Sequence, residues 1–95
     1  MKHYVLLKFA PGTDLDAVEA HVRSVYDKLA ETLDFLTNPQ VYRSCVVRDT
    51  NMDIMATIDL DCADHLQTYL THPLHVQMAM DLKDKLIGRQ SFDHE

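Results

Sequence analysis

The strongest constraint on the fold lies between Asp14 and about Leu36. Apolar residues there recur at steps of three and four, at Leu15, Val18, Val22, Val25, Leu29 and Leu33. That rhythm lays one apolar stripe along a helix. Thr13 or Asp14 can cap its start, with Asp16 and Glu19 near its positive end. One stripe on one long helix must be buried against something else, so the flanking segments decide the architecture.

Those segments read as strands and shorter helices. His3 to Phe9 is apolar and ends at Pro11-Gly12, which marks a strand followed by a turn. Asn38-Pro39 is expected to close the long helix, and Val41 to Arg48, rich in Val, Tyr and Cys, is expected to form the second strand. After a turn at Asp49-Thr50-Asn51-Met52, Ile54 to Leu60 alternates. Ile54, Ala56, Ile58 and Leu60 share one face; Met55, Thr57 and Asp59 share the other. Asp61 can cap a short helix from Cys62 to about Thr71. Pro73 lacks an amide hydrogen and suits the first turn of a new helix, expected to run to about Leu86. Gln90 to His94 is a last, more polar strand. The order βαββααβ is that of an α+β, ferredoxin-like split βαβ domain: a four-stranded antiparallel sheet with helices on one face. At 95 residues the chain is one domain, residues 1–95.

A sheet covered on one side should be polar on the other. Here Tyr4 and Leu6 alternate with Val5 and Leu7, Tyr42 and Val46 with Val41, Cys45 and Val47, and Met55 lies opposite Ile54. With no spare element to cover the second face, a second copy packed sheet to sheet is the expected cover, through Tyr4, Leu6 and Tyr42.

Charge and composition narrow the partners. The net charge is −6, with no cluster of Lys or Arg, which argues against nucleic acid. No apolar run approaches the roughly 20 residues of a membrane helix, and the amino-terminal stretch lacks a signal-peptide pattern, so the expected location is cytoplasmic. Cys45 and Cys62 stand apart and read as two thiols in a reducing compartment. There is no nucleophile elbow, phosphate loop or dinucleotide fingerprint, and no cofactor is expected.

Histidine is the outlier in the composition, with six residues, two of them in His72-Pro73-Leu74-His75. His75 lies on the apolar stripe with Met78, Ala79 and Leu82. Burial there would keep its imidazole neutral and basic near pH 7, or make it a core histidine bonded to backbone. Tyr69 lies on the apolar side of the preceding helix, as a core aromatic or a pocket hydroxyl. His72 can cap a helix or face solvent. A metal shared by His72 and His75 would need a third ligand, and none is assigned. His3 shares its strand face with Val5 and Leu7. His21, His65 and His94 read as solvated positions.

Three segments resemble the stress-responsive dimeric α/β-barrel family. Lys2-His3-Tyr4-Val5-Leu6-Leu7-Lys8-Phe9 is similar to its opening H-x-V-x-x-K-F strand. Tyr69-Leu70-Thr71-His72-Pro73-Leu74-His75 resembles its Y-x-x-H-P-x-H block. Phe92-Asp93-His94-Glu95 is similar to its closing Asp-Tyr-Glu segment. The resemblance implies a ferredoxin-like monomer paired into a dimeric α/β barrel. It implies a pocket between sheet and helices for a small apolar, aromatic or keto ligand, lined by His3, Val5, Leu7, Ile54 and His72. The alternative it implies is a cofactor-independent cyclase or isomerase acting on a poly-keto substrate, as in olivetolic acid cyclase-like enzymes. The catalytic residues would then be Tyr69 and His75, with Asp93 orienting His75 by a hydrogen bond. A cofactor-free monooxygenase is the third alternative. The cyclase has a further pocket histidine where this chain carries Ile54, which speaks against the same substrate.

Overall fold

The computed structural model describes all residues, Met1–Glu95. In chain order it contains β1 (Lys2–Phe9), α1 (Leu15–Thr32), β2 (Leu36–Arg43) and β3 (Ile54–Leu60). A 3-10 turn (Ala63–His65) then leads into α2 (Leu66–Leu70), α3 (Pro73–Leu82) and β4 (Leu86–His94). The strands form one antiparallel sheet in the order β2-β3-β1-β4, with all helices on one side. This is the ferredoxin-like α+β architecture.

Alternation explains the core. In β1, His3, Val5, Leu7 and Phe9 are buried, and the residues between them are only partly so. In β3, Ile54, Ala56, Ile58 and Leu60 face the helices. Onto them α1 lays Val18, Val22, Tyr26 and Leu29. Asp14 caps α1, its side chain accepting from the Ala17 amide at 3.2 Å.

Several boundaries differ from the sequence reading. α1 ends at Thr32 rather than near Leu36, because Leu33 turns extended. Leu36 keeps helical step with Leu33 yet opens β2, buried opposite Leu60. An apolar residue three places on suits a continuing helix and an entering strand equally. Asn38-Pro39 does not separate two elements; it lies inside β2, where the register shifts between Thr37 and Gln40. Asn38 takes a φ of 52°, a left-handed conformation Asn tolerates, and β2 is an edge strand, where a proline without an amide hydrogen breaks no ladder. Cys45, Val46 and Val47, expected in the strand, lie in the exposed β2–β3 connection. Val41 opposite Ala56 sets the register, and Arg43 opposite Ile54 completes the pairing.

The second helical region breaks at Pro73. His72 is extended, and its Nδ1 accepts from the Leu74 amide at 3.1 Å, capping α3. α3 stops at Leu82 rather than Leu86, because Leu86 pairs with Phe9 as the start of β4.

The outer face of the sheet carries Tyr4, Leu6, Tyr42, Met55 and Phe92. Tyr42 is 50% exposed and Phe92 63%. Thr57 is buried at the centre of this face with no hydrogen-bond partner for its hydroxyl.

Candidate functional site

Between the sheet and helices α1 and α3 lies a cavity of about 230 Å³, with eight hydrophobic residues among the twelve that line it. β1 contributes His3, Val5 and Leu7, because its odd-numbered side chains all face the helices. α1 contributes Val22 and Tyr26, and α3 contributes His75, Met78, Ala79 and Leu82. Lys83, Leu86 and Arg89 complete the wall. A wider hollow along α1 is lined by Asp16, Glu19, Arg23 and similar groups, with a single hydrophobic residue. It is the solvated face of a helix and encloses nothing.

Four rings form the inner end of the site. Tyr69, fully buried, meets His75 edge-on at 4.9 Å between centroids, His3 at 5.6 Å and Tyr26 at 6.4 Å. Its hydroxyl donates to the Tyr26 hydroxyl at 2.9 Å. Burial pushes both tyrosines above their ordinary pKa, so each keeps its proton at neutral pH and serves as a donor rather than a base. Tyr69 sits behind the histidines and does not line the cavity.

His75 is only 9% exposed. Burial lowers its pKa, and the positive charge of Arg89 lowers it further, against an opposing hydrogen bond with the Leu70 backbone. The imidazole is therefore neutral near pH 7.

Asp93 faces the helices but meets a different histidine from the one expected. Its Oδ1 lies 2.5 Å from Nδ1 of His3, not against His75. The reason is register: β1 and β4 pair His3 with Asp93 directly across the ladder, whereas His75 belongs to the helical layer. A carboxylate acceptor places a proton on Nδ1 of His3 and fixes the ring, with Nε2 on the side away from Asp93.

The remaining sequence candidates divide cleanly. His3, Val5, Leu7 and His75 line the cavity. Ile54 is buried in the core beside Leu7 but does not reach the cavity wall, because it lies toward the β2 side of the sheet. His72 is outside the cavity as the cap of α3, its Nδ1 already engaged, so it does not pair with His75 around a common ligand. Three pocket residues, Tyr26, Lys83 and Arg89, escaped the sequence reading. Tyr26 continues the helical rhythm from Val22 to Leu29, and Arg89 shares the alternation of Asp93 on β4; both signals were present in the spacing.

Cys62, read as a lone thiol, and His65, read as a solvated position, come together with Asp61 after β3. His65 Nδ1 lies 2.6 Å from Asp61 Oδ1 and 3.7 Å from Cys62 Sγ, and its ring stacks on Phe35 at 4.4 Å. These donors are of a kind that borderline metals accept, but here Asp61 and His65 already satisfy each other.

A family model described as the stress responsive A/B barrel domain matches residues 1–95. Among curated proteins, none matches the sequence significantly. The fold is shared with a Bacteroides fragilis protein described as dimeric, ferredoxin-like and of unknown function. The TM-score is 0.83 at 22% identity, covering 99% of this chain and 93% of that one. A dimeric ferredoxin-like protein of unknown function from Thermobifida fusca aligns with a TM-score of 0.77 at 23% identity, covering 96% and 85%. A hydroxynitrile lyase from Passiflora edulis aligns with a TM-score of 0.75 at 7% identity, covering 96% and 87%.

Proposed function

The chain belongs to the stress responsive A/B barrel domain family, and we propose that it is a homodimeric ligand-binding member whose pocket takes a small aromatic or keto compound. The cavity of about 230 Å³ carries this reading. Its volume exceeds the roughly 150 Å³ that holds benzene in an apolar protein cavity and falls short of the roughly 300 Å³ at which drug-sized sites begin. A single ring with a short substituent fits that range. The apolar wall supplies burial, and His3, His75 and Tyr26 supply a few polar edges for orientation.

Pairing through the outer sheet face completes the reading. The exposed Tyr42 and Phe92 favour a covering partner, and structures of the same fold are described as dimeric. The two free cysteines suit a reducing compartment, and we place the protein in the cytoplasm.

A second reading, a cofactor-independent cyclase- or isomerase-type enzyme on a keto compound, is favoured by one observation. His3 is oriented by Asp93 and lines the cavity, as a general base must. In that reading His3 with Asp93 takes the role first expected of His75 with Asp93. The neutral His75 then donates or accepts opposite it.

Acetophenone titrated into labelled protein tests the binding reading. The expected result is saturable shifts of the Met78 and Leu82 methyl resonances, lost in Ala79→Leu, which fills the cavity. Absence of any shift in the wild type would overturn it.

A further inference from the structure

One cation at the pocket stands apart from its kind. Arg23 is held by Glu19, Arg43 by Asp16 and Glu19, and Arg48 by the Thr50 hydroxyl. Arg89, the remaining arginine of the sequence, has neither ion pair nor hydrogen-bond partner, although the chain carries fifteen acidic residues against nine basic. It lies on the helix-facing side of β4, opposite Leu7, and lines the cavity. Lys83, just past the end of α3, shares the same rim and also lacks a carboxylate partner. Both cations, with His75 and Ala79, also line the shallow groove leading outward past Val76 and Met80.

Resting on the reading of this cavity as a ligand site, we propose that its ligand carries a carboxylate on a single apolar ring, and that Arg89 anchors that carboxylate at the mouth with Lys83 beside it. The planar guanidinium offers two parallel N–H donors to one carboxylate, a geometry Lys cannot supply. The ring then points inward against Val5, Leu7, Val22 and Met78. The opposite orientation is disfavoured, because the inner end already holds a negative group. Asp93, four residues along β4 and about 13 Å from Arg89 at strand spacing, is joined there to His3. A carboxylate pushed inward would meet the apolar wall, the un-ionised Tyr26 and His3, already held by Asp93, whereas at the rim it meets two unpaired cations. The influence of Arg89 on His75, Tyr26 and Tyr69 agrees with a guanidinium whose field reaches into the cavity.

Benzoate and acetophenone, nearly equal in shape, separate the charge from the ring. The measurement is their dissociation constants, read from Met78 and Leu82 methyl shifts in wild type and in Arg89→Gln, at low and high salt. Arg89 is exposed, so its replacement should leave the fold and melting temperature unchanged. The expected result is benzoate binding about tenfold more tightly than acetophenone, a preference that salt weakens and Arg89→Gln abolishes. Equal binding of the two, or a preference for benzoate that survives in both Arg89→Gln and the Arg89→Gln/Lys83→Gln double variant, overturns the proposal while leaving the pocket reading intact. If neither compound shifts the methyl resonances, both the proposal and the pocket reading fall.

Discussion

Removing one hydroxyl from the Tyr69–Tyr26 pair should cost more than removing both would suggest. The Tyr69 hydroxyl donates to the Tyr26 oxygen at 2.9 Å, and both side chains are essentially buried. Tyr69→Phe takes away the donor, and Tyr26→Phe takes away the acceptor. Each single change leaves a buried polar group without its partner, at about 1–3 kcal/mol. For a domain of about this size that shifts the melting midpoint by roughly 4–8 °C per kcal/mol. The double variant leaves no orphan and keeps both rings. Its cost should fall below the sum of the singles by a coupling of about 0.5–3 kcal/mol. The two singles should also differ. Tyr26 lines the cavity, so after Tyr69→Phe its hydroxyl can bond cavity water. Tyr69 is walled off behind the histidines, so Tyr26→Phe should be the costlier change. The assay is urea unfolding of the four proteins at one fixed protein concentration, since coupled dimerisation would otherwise shift the midpoints. Strict additivity of the two substitutions would refute the claim that the hydroxyls satisfy each other. The same series bears on function: a Tyr69 hydroxyl already committed to Tyr26 should be dispensable for ligand affinity.

Two further outcomes follow from the burial of His75 and from the outer sheet face. His75 is held below its ordinary pKa of 6.5, so the folded protein binds fewer protons there than the unfolded chain; its stabilising contribution is present above about pH 6.5 and is lost as pH falls toward the folded value. The unfolding free energy should fall in that window with a limiting slope of about 1.4 kcal/mol per pH unit, lowering the melting temperature, and His75→Phe should flatten the fall; an unchanged pH profile in the variant would contradict the assignment. Leu6→Glu should convert a dimer that buries more than about 1,000 Å² into a monomer at micromolar concentration, as read by light scattering, and a monomeric wild type would refute the sheet-to-sheet pairing.

Local periodicity made much of this protein legible. The alternation of His3, Val5, Leu7 and Phe9 assigned one face of β1 to the core, and the helical steps turned His75 inward with Met78 and Leu82. The missing amide of Pro73 marked the break between α2 and α3. These features depend on residues within a few positions of one another, so the order of elements and the ferredoxin-like layering follow from the chain itself.

Tertiary structure decided whatever depends on a partner distant in sequence. Periodicity assigned Asp93 to the helix side but could not choose its histidine; the ladder between β1 and β4 chose His3. The change from helix to strand near Leu33 and Leu36 was invisible because both elements accept an apolar residue there. Pairing of Leu36 with Leu60 and of Val41 with Ala56 settled it, and left the strand-like Cys45-Val46-Val47 exposed in a loop. Only the packed fold joined Tyr69 to Tyr26 across forty-three positions and left Arg89 alone among the arginines without a partner. A sequence period specifies which way a side chain points, while its contacts are set by long-range register and helix packing, which no local pattern encodes.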